Sequence, residues 1–250
     1  MPRKPSDQPI SSPDNEIVRR LTRLARRREP GLALLEGPRV LAEAQAARLE
    51  IELVVVREGD HYEGSAAQLV TVTRGVFRDL TQTVTPQGVI AIARVRESSP
   101  ADAIAAARGA RWPLVVLDGV QDPGNVGAIC RTAAAAGAPA LAVLEGSADP
   151  FGAKAVRASA GNVFRLKVAH ATWADLDGLD GYGAAAAEGT PLAEAALENA
   201  GMIVLGSEAH GLSRGDLKLV TVHLSEGVES LNVAAAAALI LFEVRRRLAA

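Results

Sequence analysis

The chain has 250 residues, of which 48% are hydrophobic and 22% are charged, and its formal net charge is −2. This composition can fill a sizeable core and is not that of a disordered chain. The single cysteine, Cys130, excludes an internal disulfide framework and a zinc cluster built from cysteines. The first residues lack the apolar segment of a secretory signal, and the longest apolar run, ten residues from Val233, is too short for a bilayer. We therefore expect a cytoplasmic protein that makes no membrane contact.

Residues 1–14 are polar and rich in Pro and Ser, which predicts a disordered tail. The next segment, IVRRLTRLARRR, carries six arginines. Val18, Leu21 and Leu24 recur in it at threefold spacing, which predicts an amphipathic helix with a basic outer face. Such a face is either a solvated surface or a contact for RNA phosphates. The candidate RNA-binding residues of this helix are Arg19, Arg20, Arg23 and Arg27.

Two domains are predicted after the tail. Residues 15–96 read as a small α/β unit with three strands, in GLALLEG, IELVVVRE and GVIAIARV, and a helix in PRVLAEAQAARL, while GSAAQLVTVT is ambiguous. Residues 97–111 predict a polar-ended linker that can hold a helical turn. In residues 112–250, apolar strands alternate with helices. That alternation predicts a parallel sheet covered on both faces.

Ligands of such sheets bind beyond the carboxyl ends of the strands, so the turns there hold the candidate site residues. The first such turn is LDGVQDPGNVGAICRTAAAAG, residues 117–137. Asn125 is placed to cap its helix, and Arg131 follows within two turns, where it could grip a phosphate. The alternative is a plain capped helix with a surface arginine. The pattern matches neither a Walker loop nor a dinucleotide-binding fingerprint.

The second turn is IVLGSEAHGLS, residues 203–213, where a buried strand runs into small residues. Gly206 and Gly211 leave room for a ligand beside the strand end, and Glu208 adds a carboxylate. An ordinary glycine-rich turn explains the pattern equally well.

The third is VESLNVAAAAALILFEVRRR, residues 228–247, in which a very apolar helix is entered through Ser230 and Asn232. Either residue is a natural helix N-cap. Capping needs one such residue, and two of them beside Glu229 indicate a polar ligand site at the helix start.

Lys154 and Arg157 in FGAKAVRASAG lie on one helix face, which suits phosphate contact or a solvated surface. The four histidines have no HExxH-type spacing, so we expect no metal site. The absence of a GxSxG elbow argues against a serine hydrolase.

Taken in order, the three turns resemble the signature motifs of the SpoU/TrmH family of RNA ribose 2′-O-methyltransferases, within the SPOUT superfamily. The intervening KAVRASAGNVFRL also resembles this family. The N-terminal segments RRREPGLALLEGPRVLAEA and TVTPQGVIAIA are similar to its ribosomal-protein-like substrate-binding domain. The resemblance implies an α/β fold with a parallel sheet and a deep trefoil knot, a homodimer, and S-adenosylmethionine as the methyl donor.

The resemblance also implies roles for individual residues. The donor would contact Leu205, Gly206, Gly211, Val222, Leu224 and Leu231. The catalytic site would comprise Arg131, Asn125, Glu208, Ser230 and Asn232. Two features depart from the family's pattern: His223-Leu224 replaces the usual Pro-Met, and Ala234 stands where Ser is frequent.

A domain of this kind before the catalytic domain favours ribosomal RNA of the 23S type as substrate. The alternatives are a transfer RNA methyltransferase and a non-catalytic RNA-binding factor in ribosome assembly. The same chemistry could also protect a host's ribosome against an antibiotic. The sequence does not identify the modified nucleotide.

Overall fold

The structure is a computed structural model that describes residues 8–81, 86–207 and 210–249. The chain forms two compact units. The first comprises Met1–Arg96 and Phe151–Phe164, and the second Glu97–Pro150 and Arg165–Ala250. Of the predicted disordered tail, residues 1–7 lie outside the described residues. Ile10, in the described part, pairs with Val72, since its N–H donates to Thr71 O at 2.9 Å and its carbonyl accepts from Thr73 N–H at 3.0 Å, so the prediction is wrong for this part of the segment.

The described residues form seven α-helices and eleven strands, joined in places by short 3₁₀ turns. The helices are α1 (Glu16–Arg26), α2 (Pro38–Ala46), α3 (Arg74–Leu80), α4 (Pro100–Gly109), α5 (Pro123–Ala136), α6 (Ala153–Ala158) and α7 (Val233–Leu248). The strands are β1 (Leu32–Glu36), β2 (Ile51–Arg57), β3 (Gln68–Val72), β4 (Val89–Arg94), β5 (Leu114–Asp118), β6 (Ala140–Val143), β7 (Lys167–His170), β8 (Gly181–Ala185), β9 (Thr190–Pro191), β10 (Met202–Gly206) and β11 (Lys218–Thr221).

The first unit is built on a four-stranded sheet of order β1-β4-β2-β3. β4 is antiparallel to both of its neighbours, and β3, in the segment that the sequence left ambiguous, pairs parallel with β2. The predicted helix α1 is confirmed. Asn15 caps it by accepting from Ile17 N–H at 2.9 Å, and its apolar stripe of Val18, Leu21 and Leu24 is buried.

The segment after Pro150 belongs to a different unit from the one that the sequence predicted, which was the domain of residues 112–250. Helix α6, with Lys154 and Arg157, packs on β1 and therefore belongs to the first unit. A local hydrophobic pattern does not reveal this placement, because the contact joins residues more than a hundred positions apart.

The predicted linker, residues 97–111, also differs from the structure. It contains the ten-residue helix α4, capped by Ser99, and lies in the second unit. Ala103 and Ala107 of α4 are buried against β5 and β6 in that unit's core. The polar ends of the segment suggested a connection, but its buried alanines cover the sheet.

The second unit holds a seven-stranded sheet of order β7-β6-β5-β10-β8-β11-β9, and every pair of neighbours in it is parallel. The predicted parallel sheet is confirmed. The whole of β5 is buried, as expected for a strand covered on both faces, and α5 and α7 pack against each other.

Strand β8 breaks the expected alternation of strand and helix, because the alanine-rich GYGAA forms a strand between β10 and β11. A Cβ at Gly181 would collide with the Met202 carbonyl, and one at Gly183 with the Leu212 side chain. The two glycines let these neighbours approach closely. This packing outweighs the preference of the alanine-rich segment for a helix.

No helix in the described parts of the chain combines the length and the hydropathy that a transmembrane span requires.

Candidate active site

Three loops leave the carboxyl edge of the seven-stranded sheet near its centre. They follow β5, β10 and β11 and carry the three sequence motifs. A cavity of about 440 Å³, here called the Gly206 cavity, lies where the second and third loops meet the start of α7. A volume of this size is typical of small-molecule sites.

Five of the six predicted donor-contacting residues line the Gly206 cavity together with the predicted catalytic residue Ser230: Gly206, Gly211, Val222, Leu224 and Leu231. Leu205 does not line it, because its side chain is fully buried within β10. Further apolar residues complete the wall and were not among the predicted site residues: the alanines at and just after the end of β8, and Leu219, Val233, Ala236 and Ile240. Their only local signal is their apolar character.

The first and third motifs meet through two asparagines. Asn232 Nδ2–H donates to Asn125 Oδ1 at 3.0 Å. Asn232 is also the N-cap of α7, since its Oδ1 accepts from Ala234 N–H at 3.0 Å. Ser230 is therefore free of the capping role and lines the cavity instead.

Asn125 does not cap α5, contrary to the sequence-based prediction. The cap is Asp122, whose carboxylate accepts from Asn125 N–H at 3.0 Å. Pro123 follows as the first helical residue and supplies the fixed φ that suits this position. The Asn125 side chain is thereby left to reach the start of α7.

Arg131 lies six residues beyond Asn125 on α5, so it is about 9 Å further along the helix axis. Its side chain is exposed, and it is not among the residues that line the Gly206 cavity of its own chain. Glu208 lies outside the described residues.

A buried carboxylate, which was not among the predicted site residues, holds the second motif in place. Asp118, only 4% exposed at the end of β5, accepts from Ser213 N–H at 2.6 Å and from Ser213 Oγ–H at 2.8 Å. Arg214 follows at the rim of the Gly206 cavity, and its hydrogen bond lowers the pKa of Asp216 below its usual value.

Cys130 takes no part in this site. It is fully buried on α5, and burial raises the pKa of its thiol to about 12, so no thiolate is accessible near neutral pH. In the described ranges, no group of three or more His, Cys, Asp or Glu side chains is placed to hold a metal ion.

The basic residues predicted to bind RNA lie in the first unit, and several are ion-paired. Arg20 lies 2.6 Å from Glu52, Arg23 3.3 Å from Glu29, and Arg157 3.1 Å from Glu36. Arg19 pairs with the exposed Asp14 at 2.8 Å. Lys154 is exposed.

A groove of about 530 Å³ lies between α1 and α3 and is lined by exposed arginines of α1. The sequence did not predict this groove. The arginines that line it are Arg19, Arg23, Arg26 and Arg27.

Two family models match different parts of the chain. Residues 113–242 match the SpoU rRNA Methylase family, and residues 15–91 match the MRM3-like substrate binding domain. The chain is 30% identical over 253 residues to the 23S rRNA (guanosine(2553)-2′-O)-methyltransferase of Bacillus subtilis. That alignment covers 94% of this chain and 98% of the relative.

Solved structures agree with these matches. An AdoMet-bound rRNA methyltransferase from Sinorhizobium meliloti is 26% identical, with a TM-score of 0.79 and coverage of 96% of this chain and 98% of that one. A structure described as an RNA 2′-O ribose methyltransferase is 28% identical, with a TM-score of 0.77 and coverage of 97% and 100%. The resemblance predicted from the three motifs is confirmed, and the chain belongs to the SpoU rRNA Methylase family.

Proposed function

We propose that this protein transfers a methyl group from S-adenosylmethionine to a ribose 2′-hydroxyl of ribosomal RNA, of the 23S type. The observation that carries the proposal is the Gly206 cavity, where two motif loops meet the start of α7 beside the Asn125–Asn232 hydrogen bond. The named activities of the relatives agree with it.

The residues of the Gly206 cavity suit S-adenosylmethionine. Val222, Leu224 and Leu231 offer an apolar wall for the flat adenine ring, with backbone groups at the strand ends to hydrogen-bond its edge. Gly211, with a φ of 68°, has open space where a Cβ would lie. Ser230 adds a hydroxyl for the polar end of the donor or the ribose. When bound, the donor would supply an electrophilic sulfonium methyl group. The 2′-oxygen attacks the methyl carbon in line, and the carbon–sulfur bond breaks to release S-adenosylhomocysteine.

The chain's own residues position the RNA and stabilise charge. A guanidinium has a pKa above about 12, so Arg131 stays charged and is a poor base. It holds the target phosphate and stabilises the developing alkoxide, while the hydroxyl proton passes to phosphate or solvent. Asn125 and Asn232 orient the ribose, while Glu208, also predicted to be catalytic, lies outside the described residues. Alignment of the two reactants supplies at best about 7–11 kcal/mol of the barrier reduction.

We further propose a homodimer in which Arg131 acts at the partner's cavity. Leu239 and Phe242 of α7 are 46% and 48% exposed and share one helix face with Ala235. The neighbouring α5 exposes Arg131 and Ala135 at a spacing of one turn. An apolar strip beside small residues supports close packing of two copies.

Three further expectations belong to this proposal. The C-terminal segment is threaded into the deep trefoil knot implied by the resemblance, which the strand order β5-β10-β8-β11 supports. The predicted domain containing residues 15–96 binds the RNA substrate, and the basic groove between α1 and α3 supports this role. The protein acts in the cytoplasm.

A methyl-transfer assay tests the proposal. Purified protein is incubated with radiolabelled S-adenosylmethionine and with ribosomal or transfer RNA from cells that lack this gene. We expect label in large-subunit ribosomal RNA, as a 2′-O-methyl group that blocks alkaline cleavage. Label confined to transfer RNA would overturn the ribosomal assignment. Absence of donor binding in calorimetry would favour a non-catalytic RNA-binding factor.

A further inference from the structure

A second cavity, of about 470 Å³, opens at the same edge of the seven-stranded sheet. It lies beyond the carboxyl ends of four adjacent strands, β7, β6, β5 and β10. We call it the Trp173 pocket. Its polar and aromatic lining includes Asp118, Glu145, Trp173, Ser207, His210 and Ser213.

The Trp173 pocket adjoins the Gly206 cavity. Ser207 and Gly211 line both, and their backbones are joined by two hydrogen bonds, Ser207 N–H to Gly211 O at 2.9 Å and Gly211 N–H to Ser207 O at 2.8 Å. Arg214 lines the Gly206 cavity, and its guanidinium lies 5.3 Å from the Trp173 ring centre. A group in the Trp173 pocket is therefore next to the proposed donor site.

The aromatic wall of this pocket is held in a fixed orientation. Trp173 Nε1–H donates to Ser213 Oγ at 2.9 Å, and that hydroxyl donates to the buried Asp118 at 2.8 Å. The Trp173 ring remains half-exposed. A rigid, partly exposed indole is the platform on which RNA-binding proteins stack an unpaired base.

The charges in the pocket indicate which group binds. Both oxygens of the buried Asp118 already accept from Ser213, so Glu145 is the carboxylate of the lining that is open to a ligand, and it favours a neutral group with N–H donors. Glu145 is exposed at the mouth, two residues beyond β6. Guanine carries two adjacent donors, N1–H and N2–H₂, on its Watson–Crick edge, and one carboxylate can accept both. The other RNA bases offer no such donor pair.

We propose that the Trp173 pocket binds the guanine base of the nucleotide whose ribose is methylated, with Trp173 as the stacking platform and Glu145 as the acceptor. This inference rests on the proposed methyl transfer and adds the base specificity of that same reaction.

Tryptophan fluorescence tests it, because Trp112 and Trp173 are the two tryptophans of the chain. The Trp112→Phe protein, saturated with S-adenosylhomocysteine, is titrated with the trinucleotides UGU, UAU, UCU and UUU. We expect UGU to quench Trp173 and to bind about tenfold more tightly than the others, which is the discrimination typical of a bidentate base contact. Equal binding and quenching by all four would overturn the proposal.

Glu145→Gln separates recognition from folding and donor binding. Because Glu145 is exposed and does not line the Gly206 cavity, the substitution should leave the fold and the affinity for S-adenosylmethionine unchanged. It should abolish the guanine preference and raise KM for RNA about tenfold. An unchanged KM for RNA and an unchanged guanine preference would show that Glu145 does not recognise the base. Failure of the protein with both tryptophans to bind the donor or to transfer methyl groups would instead count against the proposed function.

Discussion

Asn232 donates a side-chain hydrogen bond to Asn125 at 3.0 Å, although 107 residues separate the two along the chain. The bond joins the starts of α7 and α5, the two helices that enter the site from the third and first motifs. Asn232 also caps α7, whereas α5 is capped independently by Asp122. The two asparagines can therefore be tested separately.

Replacement of Asn232 by Ala should destabilise the protein more than replacement of Asn125. Asn232→Ala loses a helix cap, at about 1 kcal/mol, as well as the bond between the side chains. Asn125→Ala leaves both caps in place. Urea unfolding of both single variants and the double variant measures the coupling, which we expect to be about 0.5–1.5 kcal/mol. Fully additive losses would show that the bond contributes nothing to stability.

Arg131 should be required for the chemical step and not for donor binding. In single-turnover assays we expect Arg131→Ala to lower the rate about 10²–10³-fold, as removal of a charge-stabilising donor does. Arg131→Lys should recover little, because an ammonium lacks the bidentate geometry of a guanidinium. Calorimetry should give an unchanged affinity for S-adenosylmethionine, because the proposed partner of Arg131 is the RNA phosphate and not the donor. A lysine variant with most of the wild-type rate would contradict this role.

The apolar strip on α7 should hold the proposed dimer together. Phe242→Glu places a charge on the exposed face and should convert the dimer to monomers in analytical ultracentrifugation, with loss of methyl transfer. Leu248→Glu is the matched control, since Leu248 is also an exposed apolar residue of α7 but lies on a different face. A Phe242→Glu protein that remains dimeric would exclude this face as the interface.

Two arginines of α1 should affect different properties. The exposed Arg27 lines the basic groove, so Arg27→Ala should weaken RNA binding and reduce the slope of log affinity against log salt by about 1. Arg20 is paired with Glu52 at 2.6 Å, so Arg20→Ala should instead lower the free energy of unfolding by about 1 kcal/mol or less. Filter binding at several salt concentrations and urea unfolding measure the two effects. If Arg20→Ala weakened RNA binding and Arg27→Ala did not, the RNA would contact the other side of the helix.

The ion pairs at the end of α7 should make stability depend on acid pH. Hydrogen bonds from Arg246 and Arg247 lower the pKa of Glu243 to about 2. Its stabilising contribution is therefore complete above the unfolded-state pKa of about 4.3 and is lost as the pH falls towards about 2. Glu243→Gln should be less stable than the wild type at pH 7, by about 1 kcal/mol or less, and equally stable near pH 2.

Urea unfolding at pH 7, 5 and 3 checks this prediction. Glu226→Gln, which removes one exposed carboxylate elsewhere, serves as the control. A difference between Glu243→Gln and the wild type that stays constant from pH 7 to pH 3 would rule out the carboxylate as its source.

Local patterns in the sequence predicted several features of this structure correctly. Threefold spacing of Val18, Leu21 and Leu24 predicted α1, and continuous apolar runs predicted the buried strands of a parallel sheet. The order of the three motifs predicted the family. It also selected Gly206, Leu224 and Ser230, which line one cavity.

Features that join distant segments followed from the tertiary structure alone. It assigned α6 to the first unit, made the predicted linker a packed helix, and gave the cap of α5 to Asp122 instead of Asn125. It also brought Asp118 to Ser213 across 95 residues and set Trp173 against the same serine. The physical reason is that helix and strand periodicity records only which face of an element is apolar. Which other element covers that face, and which buried polar groups then meet, depends on how all the strands are ordered in the sheet.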